Sequence, residues 1–226
     1  MDLYYHIRSP PCQSVVFLAK HMGLELNYKT INVYDANDLE TLKKINPQHK
    51  IPSLVDNGHL VWESYAILIY LVEKYAVDDS LYPLDPTERS VVNQRLFFDI
   101  GTLHDSMMSF LWFYIRKQPA TDEVVTKLKR ALDLLNTFLQ DHPYVAGQKL
   151  TIADFPLFVS VSSLSWGQYD FTPYPRIESW AAKMSKHIPE LETMRKKADE
   201  GIKALIASRA GQSTKQKDST AISTIN

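Results

Sequence analysis

Along the first third of the chain the apolar positions switch between a period of two and a period of three to four. Each switch is marked by a proline, a glycine or a capping side chain. Leu3-Tyr4-Tyr5 reads as a short strand. Ser9-Pro10-Pro11 opens a helix, because a hydroxyl can cap it and a proline is tolerated at the first helical position. That helix runs to about Met22 and stops at Gly23. Leu26 to Val33, with Tyr28, Thr30, Ile31 and Val33, predicts a second strand and so a β-α-β unit. A short polar helix follows near Leu39 to Lys44. Ser53-Leu54-Val55 and Leu60-Val61-Trp62, joined by Asn57-Gly58, predict a tight hairpin. A third helix starts at Ser64 and reaches about Tyr75, with an apolar face of Ala66, Ile67, Ile69, Tyr70 and Val72.

From Asp78 to about residue 206 only the helical period remains. Asp85-Pro86-Thr87-Glu88 combines an N-cap acid, a first-turn proline and a reciprocal glutamate, and predicts one long helix toward Lys117. Val124, Leu128, Leu132, Leu135 and Phe138 form one buried stripe. Leu150-Thr151-Ile152-Ala153-Asp154-Phe155 is the clearest helix start: Thr151 can cap the Asp154 amide, Asp154 can reach back, and Leu150 can staple onto Phe155. Pro156 then predicts a bend or a widened turn, since its missing N–H costs a helical bond. The expected division is an α/β domain over residues 1–77, an all-helical domain over 78–207 and a disordered tail over 208–226. That tail is rich in Ser, Thr, Lys and Gln and has no aromatic residue.

Composition narrows the function classes. The 226 residues are 45% hydrophobic, 23% charged and 11% aromatic, as expected of a soluble globular protein. With 25 Lys+Arg against 26 Asp+Glu the net charge is -1, which gives no field to hold nucleic acid. The single cysteine, Cys12, excludes an intrachain disulfide and a multi-cysteine zinc site, and the histidines show no paired metal-ligand spacing, so no metal is expected. The first 20 residues lack a signal-peptide pattern, and the longest wholly apolar stretch, Tyr65 to Val72, is far short of the roughly 18 residues a membrane span needs. A cytosolic protein without membrane contact is expected.

The first-third pattern, with Ile51-Pro52 just before the third strand, is the plan of a thioredoxin-like domain, whose reactive corner follows strand one. Redox members of that fold carry Cys-x-x-Cys there, whereas this chain has Ser9-Pro10-Pro11-Cys12, which excludes dithiol exchange. A serine can instead donate a hydrogen bond to the thiolate of a bound ligand, helped by the positive end of the following helix. Lowering a thiol from about 8.5 to about 6.5 needs about 2.7 kcal/mol. A hydrogen bond to a charged group supplies about 1.5–3 kcal/mol. The bland alternative is that Ser9 merely caps the helix. A cis bond before Pro52 would let Ile51 offer N–H and C=O to a peptide lying alongside. The amides and hydroxyl at Ser64 could hold a carboxylate while Glu63 pairs with an ammonium, against the alternative of ordinary capping.

On these residues the sequence resembles the cytosolic glutathione transferases, most closely the serine-type delta class of insects, over about residues 1–207. The shared pieces are Ser9-x-Pro11-Cys12, Asn46-Pro47-Gln48-His49-x-Ile51-Pro52, Leu54-Val55-Asp56-Asn57-Gly58, Trp62-Glu63-Ser64-x-Ala66-Ile67, Tyr70-Leu71-Val72-Glu73-Lys74-Tyr75, Asn93-Gln94-Arg95-Leu96 and the Thr151–Asp154 cap. The resemblance implies conjugation of glutathione, as co-substrate, to hydrophobic electrophiles by a homodimer. It implies that Ser9 stabilises the glutathione thiolate, that His49 and Lys50 lie beside the glycyl end, that Ile51 pairs with the cysteinyl backbone, and that Glu63 and Ser64 hold the γ-glutamyl end. Tyr65 stands where the delta class usually has arginine, and Asp38 where it often has histidine, so weaker glutathione binding is expected. Pro11, His104, Met107, Phe110 and Trp112 are implied as the wall facing the acceptor, with plain core as the alternative for the Met and aromatic run. Tyr5 is the rival to Ser9 and Cys12 a further one. A carrier of hydrophobic ligands is the alternative function.

Overall fold

The computed structural model describes residues 1–222, with side chains through residue 207; of the tail expected to be disordered, residues 208–222 continue the last helix and 223–226 lie outside the described residues. Four short strands, β1 (Asp2–Tyr5), β2 (Asn27–Thr30), β3 (Ser53–Asp56) and β4 (His59–Trp62), form one mixed sheet in the order β2-β1-β3-β4. β1 and β2 are parallel because α1 (Pro10–His21) carries the chain back over the sheet between them. β3 runs antiparallel to β1 and sets Leu54 opposite Leu3, both fully buried. Asn57 and Gly58 take φ of +49° and +84°, the left-handed pair a two-residue hairpin turn needs.

Two predicted elements change length for identifiable reasons. β2 ends at Thr30 because β1 ends at Tyr5; Ile31 still donates to the Tyr5 carbonyl, and the Asn32 N–H turns to Asp38 Oδ2 at 2.8 Å. α2 (Ala36–Ile45) starts earlier than expected, because Asp35 accepts from the N–H groups of Asn37 and Asp38 and caps it.

α3 (Ser64–Tyr75) is followed by helices alone: α4 (Pro86–Phe98), α5 (His104–Ile115), α6 (Asp122–Phe138), α7 (Asp154–Ser163), α8 (Pro175–Met184) and α9 (Leu191–Ile222). On α6 the predicted stripe holds, with Leu128, Leu132 and Leu135 fully buried. α1 is buried from Cys12 to Ala19, because α3 covers it on one side and α7 on the other; the Phe17 and Phe158 rings sit 6.2 Å apart across the α1–α7 contact. One core therefore spans the sheet and the helices.

The single helix expected from Pro86 to Lys117 is two helices joined by a π-helical turn over Asp99–Leu103, and it stops at Ile115. The widened turn expected at Pro156 is absent there. α7 begins at Asp154, so Pro156 falls in the first turn, where an N–H would have no helical acceptor. Asp154 reaches back as predicted, its Oδ2 accepting from the Thr151 N–H (2.9 Å) and hydroxyl (3.2 Å). Its Oδ1 also accepts from Val145 N–H and Trp180 Nε1, both at 3.0 Å, so one buried carboxylate ties the 145 loop, α7 and α8 together.

Candidate active site

Ser9 sits just before the first turn of α1 with an extended backbone, and its side chain makes no capping bond to the helix amides. Its hydroxyl instead lines a cavity of about 350 Å³ bounded by the reactive corner, residues 31–34, α5, the short turn at Trp166 and α9. A second cavity, of about 190 Å³, lies between the 46–52 loop and the start of α3, and is lined by Lys50, Ile51, Glu63, Ser64 and Tyr65. Pro11, Ile51 and His104 line both, so the two spaces meet beside Ser9. The structure thus gathers most of the predicted residues around one continuous hollow.

The smaller space is polar by construction. Glu63 holds φ +67° and ψ 115°, a conformation that costs a non-glycine residue about 1–3 kcal/mol. Its side chain makes no capping bond, which leaves the first amides of α3 and the Ser64 hydroxyl at an open helix start suited to a carboxylate. The Ile51-Pro52 bond is cis. Asn46, almost fully buried, fixes the loop: its Nδ2 donates to the Lys50 carbonyl (3.0 Å) and to Ser53 Oγ (2.9 Å), and its Oδ1 accepts from Gln48 N–H.

Three of the expected residues lie outside the two cavities. His49 is exposed, with φ +54°, and lines neither cavity; Gln48 does. Met107 is 0% exposed and belongs to the core, while its neighbour Met108 faces the larger cavity. Phe110 packs edge-on against Tyr169, 5.5 Å between ring centres, and against Gly167, rather than lining that cavity. Trp112 does line it, and His104 is held below the usual imidazole range by burial, partly offset by Asp105, so it is neutral at pH 7.

The rivals to Ser9 are poorly placed. Tyr5 packs on Tyr28 across the sheet, 5.0 Å between ring centres, and lines neither cavity. Burial pushes the Cys12 thiol up to about 12, outweighing help from the Ser9 hydroxyl and the His6 backbone, which disfavours the thiolate a nucleophile needs. Tyr65 does not replace an arginine toward solvent. Its hydroxyl donates to Asp99 Oδ2 at 2.7 Å, inside the π turn.

Sequence reasoning missed Arg8, Trp166 and the α9 residues Ile202 and Leu205 in the larger cavity, and left Met108 and Leu111 undecided between cleft and core. Arg8, adjacent to Ser9, was open to sequence reasoning. The α9 residues were not, since nothing local ties them to the corner. Among the described residues no group of three or more His, Cys, Asp or Glu side chains could hold a metal ion.

Comparison with known proteins places this hollow in a family. The family model described as glutathione S-transferase, N-terminal domain matches residues 1–73, and the one described as glutathione S-transferase, C-terminal domain matches 103–198. The chain is 41% identical over 208 residues to glutathione S-transferase D7 of Drosophila melanogaster, covering 91% of this chain and 93% of that protein. Among solved structures, glutathione S-transferase 1-6 from Anopheles dirus species B is 49% identical with a TM-score of 0.86, covering 92% of this chain and all of that one. A delta-class glutathione transferase of Nilaparvata lugens is 37% identical with a TM-score of 0.82, covering 92% and 98%. A hydroxyl at a helix start, an open helix N-terminus and an adjoining apolar cleft, on a sheet and helix bundle shared with these relatives, leave one conclusion: the chain belongs to the glutathione S-transferases, beside their insect delta-class members.

Proposed function

We propose that this protein conjugates glutathione to hydrophobic electrophiles in the cytosol, with Ser9 as the hydroxyl that stabilises the glutathione thiolate. The observation that carries the proposal is Ser9, whose side chain does not cap the amides of α1 and which stands where the polar and apolar spaces meet. The peptide lies in the smaller space, with its γ-glutamyl carboxylate on Ser64 and the α3 amides, its ammonium toward Glu63, its cysteinyl backbone along Ile51 and its glycyl end toward Lys50. This sets the sulfur toward Ser9. The thiolate then attacks an electrophile held in the larger space, and the gain comes from proximity and from a hydrogen bond aimed at the anion. Relatives that carry the transferase name at 41–49% identity favour conjugation over the carrier role. No helix among the described residues is long and apolar enough to cross a membrane.

In this reading residues 1–77 bind glutathione and 78–207 hold the acceptor, and two copies pair. Pairing is supported by Phe97, 73% exposed, with Ile100 also exposed three residues on; light scattering giving the mass of one chain would refute it. The test of the site is Ser9→Ala. The ultraviolet titration of enzyme-bound glutathione should move its thiol midpoint up by one to two pH units, and conjugation of chlorodinitrobenzene at pH 6.5 should fall about 10- to 150-fold. An unmoved midpoint removes Ser9 from the role.

A further inference from the structure

Arg8 is the one arginine among the residues lining the larger cavity, and none of them is acidic. Among the described residues it makes no ion pair with a carboxylate. Its neighbours hold it there. His6 Nδ1 accepts from the Arg8 backbone N–H at 3.1 Å, which puts the ring proton on Nε2. Nε2 therefore cannot accept from Arg8 Nη2, 3.4 Å away, whereas Arg8 Nε donates to Nδ1 at 3.5 Å and holds the guanidinium along the imidazole. Burial, and then Arg8, hold His6 below the usual imidazole range, so the pair carries a single positive charge.

The second support is on α9. Gly201 lies inside that helix, where glycine costs about 1 kcal/mol relative to alanine. A Cβ there would stand 2.6 Å from Arg8 Cδ and 2.8 Å from Cγ, so the missing side chain is the notch through which Arg8 reaches the cavity. The nearby Asp199 carboxylate on the same helix is engaged by Trp166 Nε1 at 2.6 Å.

A cation kept half out of water in a mostly apolar wall that holds no carboxylate calls for an anion. We propose that Arg8 selects acceptor electrophiles that carry a carboxylate on the far side from the reacting carbon, pairing with it while the thiolate at Ser9 attacks. This rests on the conjugation reading above. For a benzylic chloride the step is balanced: the sulfur forms a bond to the benzylic carbon, chloride leaves with the bonding pair, and the thiol proton goes to solvent.

The experiment compares 4-(chloromethyl)benzoate with 4-methylbenzyl chloride as acceptors, reading the ratio of their kcat/KM values and its pH profile. The ratio should favour the benzoate in the natural protein and fall at least tenfold in Arg8→Gln. It should be partly kept in Arg8→Lys and should also fall in Gly201→Ala, which removes the notch while favouring the helix. A ratio unchanged in all three variants overturns the assignment while conjugation itself stands. A ratio kept in Arg8→Gln with the pH midpoint raised for both probes also overturns it, since Arg8 would then serve the sulfur. Turnover of neither probe by the natural protein overturns the conjugation reading first and this inference with it.

Discussion

Asp99 carries the sharpest stability prediction. It is 1% exposed, sits in the π turn and receives one hydrogen bond, from Tyr65 to Oδ2. Its Oδ1 and the nearby Ser160 Oγ each lack a partner in hydrogen-bond geometry. Burial raises its carboxyl to about 6 from 3.8, against the opposing help of Tyr65 and Ser160. A folded state that prefers the protonated acid is most favoured below the unfolded value and loses that advantage as pH climbs through 6. At about 1.36 kcal/mol per pH unit, the ionised group costs the fold about 3 kcal/mol at pH 7.5, about half that at pH 5 and little at pH 4. Asp99→Asn keeps the shape and the Tyr65 bond and removes the charge. It should raise the melting temperature by about 6–12 °C at pH 7.5. The gain should shrink toward zero as the buffer approaches pH 4, followed by circular dichroism. A gain of the same size at every pH, or a loss at pH 7.5, would refute the account of Asp99 as a buried, under-partnered charge.

Other consequences are as direct. Asp154→Ala strands four donors from three segments and should cost about 3–5 kcal/mol in urea denaturation; a cost under about 1 kcal/mol would show that the network is dispensable. Tyr65→Phe leaves both Asp99 oxygens unpaired and should destabilise by about 1–3 kcal/mol at pH 7.5, an effect that Asp99→Asn in the same chain should largely cancel. Native protein should resist iodoacetamide at pH 8, because the Cys12 thiol is buried and pushed up to about 12; rapid alkylation measured by mass spectrometry would mean that the corner opens.

The reactive corner was legible because its signals are local. Proline at the start of α1, Asn57-Gly58 in the hairpin and the helix start at Ser64 each fix backbone within a few residues, and together they place Ser9, Ile51 and Ser64. The acceptor wall was not. His104, Met107, Met108, Phe110, Leu111, Trp112 and Tyr114 put large groups on too many sides of one helix for periodicity to choose a face, and the π turn just before it shifts the helical phase. Met108 and Leu111 line the cleft, whereas the resemblance implied Met107 and Phe110. Proline at 156 misled for a related reason: its effect depends on where the helix begins, and Asp154 starts it later than the cap at Thr151 suggests.

The wall contributed by α9 has a corollary. On the proposed reading the sulfur is met by residue 9, whereas much of the cavity wall that an incoming molecule would meet comes from Trp112, Trp166, Ile202 and Leu205, more than a hundred residues downstream. On that reading, substitutions in the distal stretch would change which molecules the cavity admits while leaving the Ser9 corner untouched.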